Sequence, residues 1–268
     1  MSTPIQLAVH GAAGRMGQRV IALAAEDNAF LIVAAVDHAD HPRLGQDAGM
    51  IAGIAAIDVP LSSVFSGNLG VVIDFSLPTA LDGCLANCVA NKIPLVVATT
   101  GLSDAQKSSL ADAAHSIPIV WAPSMSTAVN LTMKVVQQIT ETLKGVSGGV
   151  DIEILERHHR FKADAPSGTA LRFGELIAEK LGGDVKHVHG REGETGQRTR
   201  NEIGYHAIRV GDNPGEHSIV FGMLGERIEI NVAASNRDCY AAGALTAAKW
   251  LQGQPNGLYN MFDVLGLS

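Results

Sequence analysis

The stretch Ile5-Gln6-Leu7-Ala8-Val9-His10-Gly11-Ala12-Ala13-Gly14-Arg15-Met16-Gly17 decides the fold. Ile5 to Val9 form a short apolar β-type run, and the G-x-x-G-x-x-G loop Gly11 to Gly17 leads into the helical run Gln18 to Ala25. Glycine at those places permits tight turning and close approach of backbone N–H groups to a pyrophosphate, which the positive end of the following helix favours. A glycine pattern alone is weak. Its weight comes from the strand before, the helix after, and Asp37 at the end of the second strand, twenty positions beyond Gly17. A carboxylate at that place suits the adenine-ribose hydroxyls of a dinucleotide.

Working outward, the first half alternates apolar strand runs with longer helical patterns, the organisation of a parallel sheet wrapped by helices. The expected strands are Ile5 to Val9, Leu31 to Val36, Val71 to Phe75, Leu95 to Ala98 and Ile117 to Trp121. Ser103 followed by Gln106 reads as a capping box opening a helix that runs towards His115, and Pro78 suits the first turn of another. Ala98-Thr99-Thr100-Gly101 and Ala122-Pro123-Ser124-Met125 follow the fourth and fifth strands. Carboxyl ends of strands border the ligand crevice in such sheets, so Ala98, Thr99, Thr100, Ala122, Pro123, Ser124 and Met125 are placed to line the nicotinamide half.

After about Ser126 the pattern changes to a helix through Leu143, a Gly-rich break at Gly145 to Gly149 and a strand at Asp151 to Glu156. Tyr205 to Val210, His217 to Phe221 and Arg227 to Val232 then follow with short turns between them, and short connections favour antiparallel pairing. The expectation is an α/β chain of two domains. A Rossmann-like dinucleotide domain takes residues 1–126 and 235–268, including an apolar helix from Cys239 to Leu251, and a second α+β domain for substrate and oligomerisation takes 127–234.

Composition agrees with a globular α/β enzyme: 46% hydrophobic and 18% charged residues with 29 glycines. A net charge of −7 gives no general attraction to nucleic acid or anionic membranes. Cys84, Cys88 and Cys239 are too few for a disulfide framework and read as reduced thiols, not half a metal site. Met1 to Val9 has no basic region, and no uncharged apolar stretch is long enough to cross a bilayer, so a cytoplasmic location is expected.

The densest chemistry is Glu156-Arg157-His158-His159-Arg160-Phe161-Lys162-Ala163-Asp164-Ala165-Pro166-Ser167-Gly168-Thr169-Ala170, between a strand and a helix running to about Leu181. Five cationic or titratable side chains in the six positions 157–162 demand an anionic ligand or free hydration. A dicarboxylate fits, and Ser167-Gly168-Thr169 at a helix start offers free N–H groups of the same kind as the glycine loop. A solvated charged loop is the competing account of the basic run. A metal site from His158, His159 and Asp164 is disfavoured because adjacent histidines on a strand point to opposite faces, and Ser167 lacks the G-x-S-x-G elbow of a serine nucleophile.

The string Glu156 to Ala170 closely resembles the E-x-H-H-x-x-K-x-D-x-P-S-G-T-A signature of bacterial dihydrodipicolinate reductases, also called 4-hydroxy-tetrahydrodipicolinate reductases. The likeness extends along the chain through the loop Gly11 to Gly17, Asp74-Phe75-Ser76, Ala98 to Gly101, Arg191-Glu192-Gly193 with Thr195-Gly196, Gly215-Glu216-His217 and Gly225-Glu226-Arg227. The resemblance implies His158 as catalytic acid or base, Lys162 as proton donor, His159 as a substrate ligand and Gly168 with Thr169 as the carboxylate site. It further implies reduction of the ring with hydride from NADH or NADPH, loss of the 4-hydroxyl as water to give tetrahydrodipicolinate in lysine and diaminopimelate synthesis, and a homotetramer. Three departures are visible: the family's common G-T-T-G is Ala98-Thr99-Thr100-Gly101, its A-x-N-F-S-type segment is Ala122-Pro123-Ser124-Met125-Ser126, and His38 stands where a basic residue often follows the acid of the second strand.

For the cofactor itself, Gly11, Ala12, Ala13, Gly14, Arg15 and Met16 are the expected diphosphate contacts and Asp37 with His38 the ribose contacts. A carboxylate there repels a 2′-phosphate, which biases the expectation towards NADH, with NADPH admitted through Arg15 or Arg43. Two rival readings are another nicotinamide-dependent dehydrogenase of a small amino or keto acid, and a Rossmann-type redox-sensing regulator. The His158 to Lys162 cluster argues against the first. The missing helix-turn-helix and basic face argue against the second.

Overall fold

The computed structural model describes residues 3–267. The chain divides into two compact units, the first running to Thr127 and resuming at Arg237, the second spanning Ala128–Asn236.

Strands and helices alternate in the first unit: β1 (Ile5–His10), α1 (Arg15–Ala25), β2 (Phe30–Val36), α2 (Ala48–Ile51), β3 (Leu61–Ser62), β4 (Val71–Asp74), α3 (Pro78–Asn91), β5 (Leu95–Val97), α4 (Asp104–Ala113) and β6 (Pro118–Trp121). Then come α5 (Thr127–Leu143), β7 (Asp151–His158), α6 (Gly168–Leu181), β8 (Lys186–His189), β9 (Glu202–Arg209), β10 (Glu216–Met223) and β11 (Glu226–Ala233). The tail supplies α7 (Asp238–Leu251), β12 (Gly257–Tyr259) and α8 (Met261–Val264) to the first unit.

The expected capping box is formed: the Ser103 hydroxyl accepts the Gln106 N–H while the Gln106 side chain accepts the Ser103 N–H. That helix stops at Ala113, short of His115. Pro78 occupies the first turn of α3, where its missing N–H costs nothing.

The first sheet has the order β3-β2-β1-β4-β5-β6-β12 with every pair parallel. Strand order reverses between β1 and β4, and the carboxyl ends at that reversal open the crevice in which sheets of this kind take ligands. Alternation along the strands sends side chains to two cores. Leu7, Val9, Ile73, Val96 and Val120 meet Val20 and Ile21 of α1 and Ala241, Ala244 and Ala248 of α7. Ala8, Val72, Leu95, Val97 and Ile119 meet Leu81, Cys84 and Cys88 of α3 and Leu110 of α4 on the other face. No disulfide joins the cysteines among the described residues, and Cys84 and Cys88 lie within that core.

In the second unit a mixed sheet has the order β11-β10-β7-β9-β8. β10 is antiparallel to β11, as their short connection suggests, and also to β7, but β9 runs parallel to β7 and β8. The expectation that β9 and β10 pair as neighbours is therefore corrected. β7 lies between them and takes up the inner edge of each, so the short turn joining β9 to β10 spans a strand instead of closing a hairpin.

The alternation along β7 places Ile152, Ile154, Glu156 and His158 on one buried face. The first two pack in the core, fully buried like Phe173 and Ile177 of α6. The last two turn that same face polar at the carboxyl end of the strand. No helix among the described residues is long and apolar enough to cross a membrane.

Candidate active site

The glycine loop is as tight as its composition demands. Gly11 has φ +74°, and a Cβ on it would lie 2.6 Å from the Phe75 carbonyl oxygen; one on Gly17 would lie 2.1 Å from the Gly11 oxygen. The N–H groups of Gly11 and Ala12 are both held by the Val36 carbonyl, at 2.9 and 3.0 Å. α1 begins from Gly14 with no side-chain cap and no acid in its first turn. Its leading N–H groups and the positive end of its dipole are therefore left for an anion, which is what a diphosphate requires.

Asp37 joins this loop. Its Oδ2 accepts the Ala13 N–H at 2.9 Å and its Oδ1 accepts the His38 N–H at 2.9 Å, so the carboxylate is pinned between the end of β2 and the loop. His38 is exposed beside His41, their rings 5.0 Å apart. Arg15 and Arg43 are also exposed. Thr99 is buried, donating its hydroxyl hydrogen to Asp74 Oδ2 at 2.7 Å, while Thr100 is exposed. The Ala122 N–H meets the Val97 carbonyl at 3.4 Å, which sets the segment Ala122 to Met125 beside Ala98. Pro123 is exposed and Ser124 buried, and the Met125 side chain is 1% exposed within the core that includes α7. Any contact that Met125 makes with a ligand runs through its main chain. Among the described residues, two sets of three potential metal donors come together, His10 with Asp74 and Cys84, and Asp37 with His38 and His41. The carboxylates of both sets are already engaged by hydrogen bonds.

In the second unit the signature segment forms a connected network. Glu156, 1% exposed, accepts His158 Nδ1–H at 2.6 Å, the Ser167 N–H at 3.0 Å, and Arg209 Nη1 and Nη2 at 2.7 and 2.8 Å. Sheet register accounts for this convergence. Arg209 on β9 stands opposite His158, and His217 on β10 stands opposite Glu156. Burial alone raises the Glu156 carboxyl, but Arg209 and His158 outweigh it and hold it below the usual carboxylate range. For His158, burial is the largest influence and, with Lys162 and Arg209 pushing the same way, holds the imidazole below its ordinary value against the lift from Glu156. The ring thus stays neutral near pH 7 with Nδ1 carrying the hydrogen, leaving Nε2 as a proton acceptor.

His217 is 4% exposed, and burial followed by the neighbouring His158 pushes it down to about 4. Its Nε2 lies 3.1 Å from the Ser167 hydroxyl, which also caps α6 by accepting the Ala170 N–H at 3.2 Å. The Ser167 hydroxyl is thus engaged by both the Ala170 N–H and His217, and is committed to its cap. The N–H groups of Gly168 and Thr169 have no acceptor within the helix. Lys162 Nζ pairs with Asp164 Oδ1 at 2.8 Å, an exposed partner that a ligand can displace. His159 Nδ1 is closed off from solvent and has no hydrogen-bond partner among the described residues.

All five residues expected to act on substrate lie along the segment that runs from the last residue of β7, His158, through His159 and Lys162 to the first two residues of α6, Gly168 and Thr169. Sequence reading missed the supporting partners Arg209 and His217, and placed Ser167 in the anion site where the structure engages its hydroxyl with Ala170 and His217. Glu156 and His217 stood within quoted motifs but without a role. Arg209 carried no local signal, since only the parallel pairing of β9 with β7 brings it to Glu156.

Comparison with known proteins agrees across both units. The N-terminal and C-terminal family models of dihydrodipicolinate reductase match residues 5–125 and 128–265. A 4-hydroxy-tetrahydrodipicolinate reductase of Rhodopirellula baltica is 67% identical over 272 residues, covering 99% of this chain and 97% of that protein. Another, of Alkalilimnicola ehrlichii, is 47% identical over 267 residues, covering 98% of this chain and 99% of its own length. Among solved structures, a dipicolinate-bound dihydrodipicolinate reductase from Paenisporosarcina shares the fold, with a TM-score of 0.75 at 24% identity over 97% of this chain and 99% of that one.

Proposed function

The chain belongs to the dihydrodipicolinate reductase family, and on that premise we propose that it reduces 4-hydroxy-tetrahydrodipicolinate to tetrahydrodipicolinate with NADH or NADPH, in the synthesis of diaminopimelate and lysine. The substrate's 4-hydroxyl leaves with a hydrogen from the neighbouring ring carbon as water, one hydride and one proton then add to the conjugated imine that results, and the cofactor is oxidised. The feature that supports this reading is the segment from His158 to Thr169, which gathers two histidines, a lysine and the first two N–H groups of α6 within twelve residues.

The cofactor fits the first unit: the glycine loop admits a diphosphate against its backbone, α1 begins uncapped, and Asp37 is oriented for ribose hydroxyls. When bound, the nicotinamide supplies the hydride. The chain's own residues do the rest. His159, Gly168 and Thr169 hold the substrate carboxylates. Lys162 exchanges Asp164 for the substrate, steadies the negative charge that builds on the conjugated imine, and delivers the proton. His158 takes or relays a proton at Nε2 while Glu156 fixes its tautomer.

The cofactor preference proposed is for NADH, because the pinned Asp37 carboxylate opposes a 2′-phosphate and the adjacent side chain is an imidazole, not a guanidinium. Residues up to about 126 with those from 235 serve the cofactor, and the middle serves the substrate. A cytoplasmic homotetramer is the proposed form. Exposed Ile208, Val210, Leu224 and Ile228 on and beside the strands of the second sheet support its coverage by other copies.

The deciding assay supplies pyruvate, aspartate semialdehyde and the preceding synthase, then follows oxidation of NADH or NADPH. Oxidation no faster than without the protein overturns the reading.

A further inference from the structure

Three segments meet where the first sheet reverses, and one buried carboxylate joins them. Asp74, 0% exposed at the end of β4, accepts His10 Nδ1–H at 2.7 Å on Oδ1 and the Thr99 hydroxyl at 2.7 Å on Oδ2. The Ser76 N–H reaches Oδ1 at 3.3 Å, and the Thr99 hydroxyl also lies 3.3 Å from the Ser76 carbonyl. His10 is the residue immediately before Gly11 and is itself 8% exposed. The backbone repeats the connection: the Phe75 N–H meets the His10 carbonyl at 3.1 Å, and the Ala98 N–H meets the Asp74 carbonyl at 2.9 Å. Gly11 in turn lies too close to Phe75 to carry a side chain.

From this geometry we propose that His10 and Asp74 are positioning residues that lock the diphosphate loop to the nicotinamide segment, so that the cofactor's two halves are held in one fixed relation. The inference rests on the assignment of Gly11 to Met16 and Ala98 to Thr100 to the cofactor. Neither His10 nor Asp74 needs to touch it. A carboxylate is suited to this task because it accepts from both sides at once. It holds an imidazole N–H from the β1 end and a hydroxyl from the β5 end, in a site from which water is excluded. The two bonds fix the Thr99 rotamer and, through it, the turn after β5. Charge-assisted bonds of this length are strong ones, and their loss inside a protein is not made good by solvent.

Two ligands tell the halves of the cofactor apart. ADP-ribose uses only the adenosine and diphosphate half, which the glycine loop and Asp37 hold. NADH needs both halves in register. Binding of each, measured by titration calorimetry without substrate, is compared for the intact chain and for Asp74→Asn, His10→Ala and His10→Asn. An amide at position 74 accepts from only one of its two partners. Asparagine at position 10 restores a donor near the place of Nδ1, whereas alanine leaves none. NADH affinity is expected to fall roughly tenfold in Asp74→Asn and His10→Ala, the scale of one lost buried hydrogen bond, with ADP-ribose within about twofold and recovery in His10→Asn.

Equal weakening of both ligands makes the network a general support of the loop and overturns the proposal, as does unchanged binding of both. If Asp74→Asn fails to fold, the alanine and asparagine pair at position 10 carries the same comparison. An intact chain that binds neither ligand overturns the cofactor assignment itself, a failure distinct from variants that behave like the intact chain.

Discussion

Arg209 grips Glu156 at both oxygens, Nη1 to Oε2 at 2.7 Å and Nη2 to Oε1 at 2.8 Å, and the Oε2 so held is the atom that fixes His158. The carboxylate stays charged in a nearly closed site because a guanidinium faces it in bidentate fashion. Glu156→Gln removes that charge and the lift it gives to His158. Burial already lowers the His158 value, so the acidic limb of kcat/KM against pH should move further down, with kcat/KM reduced about tenfold. A limb that moves up, in a variant folded by circular dichroism, contradicts this assignment.

Lys162→Ala should lower kcat by roughly 10²- to 10⁴-fold, the range for loss of a positioned proton donor. His158→Ala should fall similarly. Near-normal turnover in either folded variant removes that residue from proton transfer.

His159→Ala and Thr169→Val should raise KM more than they lower kcat, because carboxylates look alike in the ground and transition states. Steady-state kinetics decide it. A large kcat loss at unchanged KM moves these residues into the chemical step.

His38→Arg should raise kcat/KM for NADPH more than for NADH, since arginine holds a 2′-phosphate with two parallel bonds. Both cofactors are compared on the same preparation. An intact enzyme that strongly prefers NADPH at neutral pH shows that Arg15, Arg43 or another cation controls this pocket.

Stability should depend on His217 in mildly acid solution. Its folded value near 4 lies below the ordinary 6.5, so the unfolded chain takes up the proton first. The stabilisation is complete above pH 6.5 and is lost as pH falls from there towards 4, up to roughly 3 kcal/mol. Glu153, which Arg191, His206 and Arg198 hold at about 2 against the opposing effect of burial, starts to contribute only below its ordinary 4.5. Melting temperatures between pH 6.5 and 4.5 therefore report on His217 together with His158, which burial also holds below its ordinary value. His217→Gln should flatten the slope there, and an unchanged slope excludes His217 as its source.

Much of this arrangement was legible from local pattern. The glycine loop, the five principal strands of the first sheet and the capping box at Ser103 are set by residues close in sequence, where periodicity and turn chemistry act directly. What escaped depended on pairing. β3 and β12 are two- and three-residue edge strands whose extension comes from their neighbours, and β9 runs parallel to β7 because of its place in the sheet. The site divides the same way. His158, Lys162 and Thr169 lie within one legible string, but Arg209 and His217 reach Glu156 from 53 and about 60 positions away. The link from His10 to Asp74 spans 64 positions and left no trace in either local motif.

The two-residue rhythm of β7 ties the durability of the second unit to its chemistry. Ile152 and Ile154 seal the interior with the same beat that delivers Glu156 and His158 to their partners. A single residue inserted or deleted near Asp151 would flip all four together, exposing two isoleucines and exiling the histidine in one stroke. Changes of length in this strand are thus tolerable only in even steps. Neither the interior nor the reaction centre can be retuned along β7 without the other.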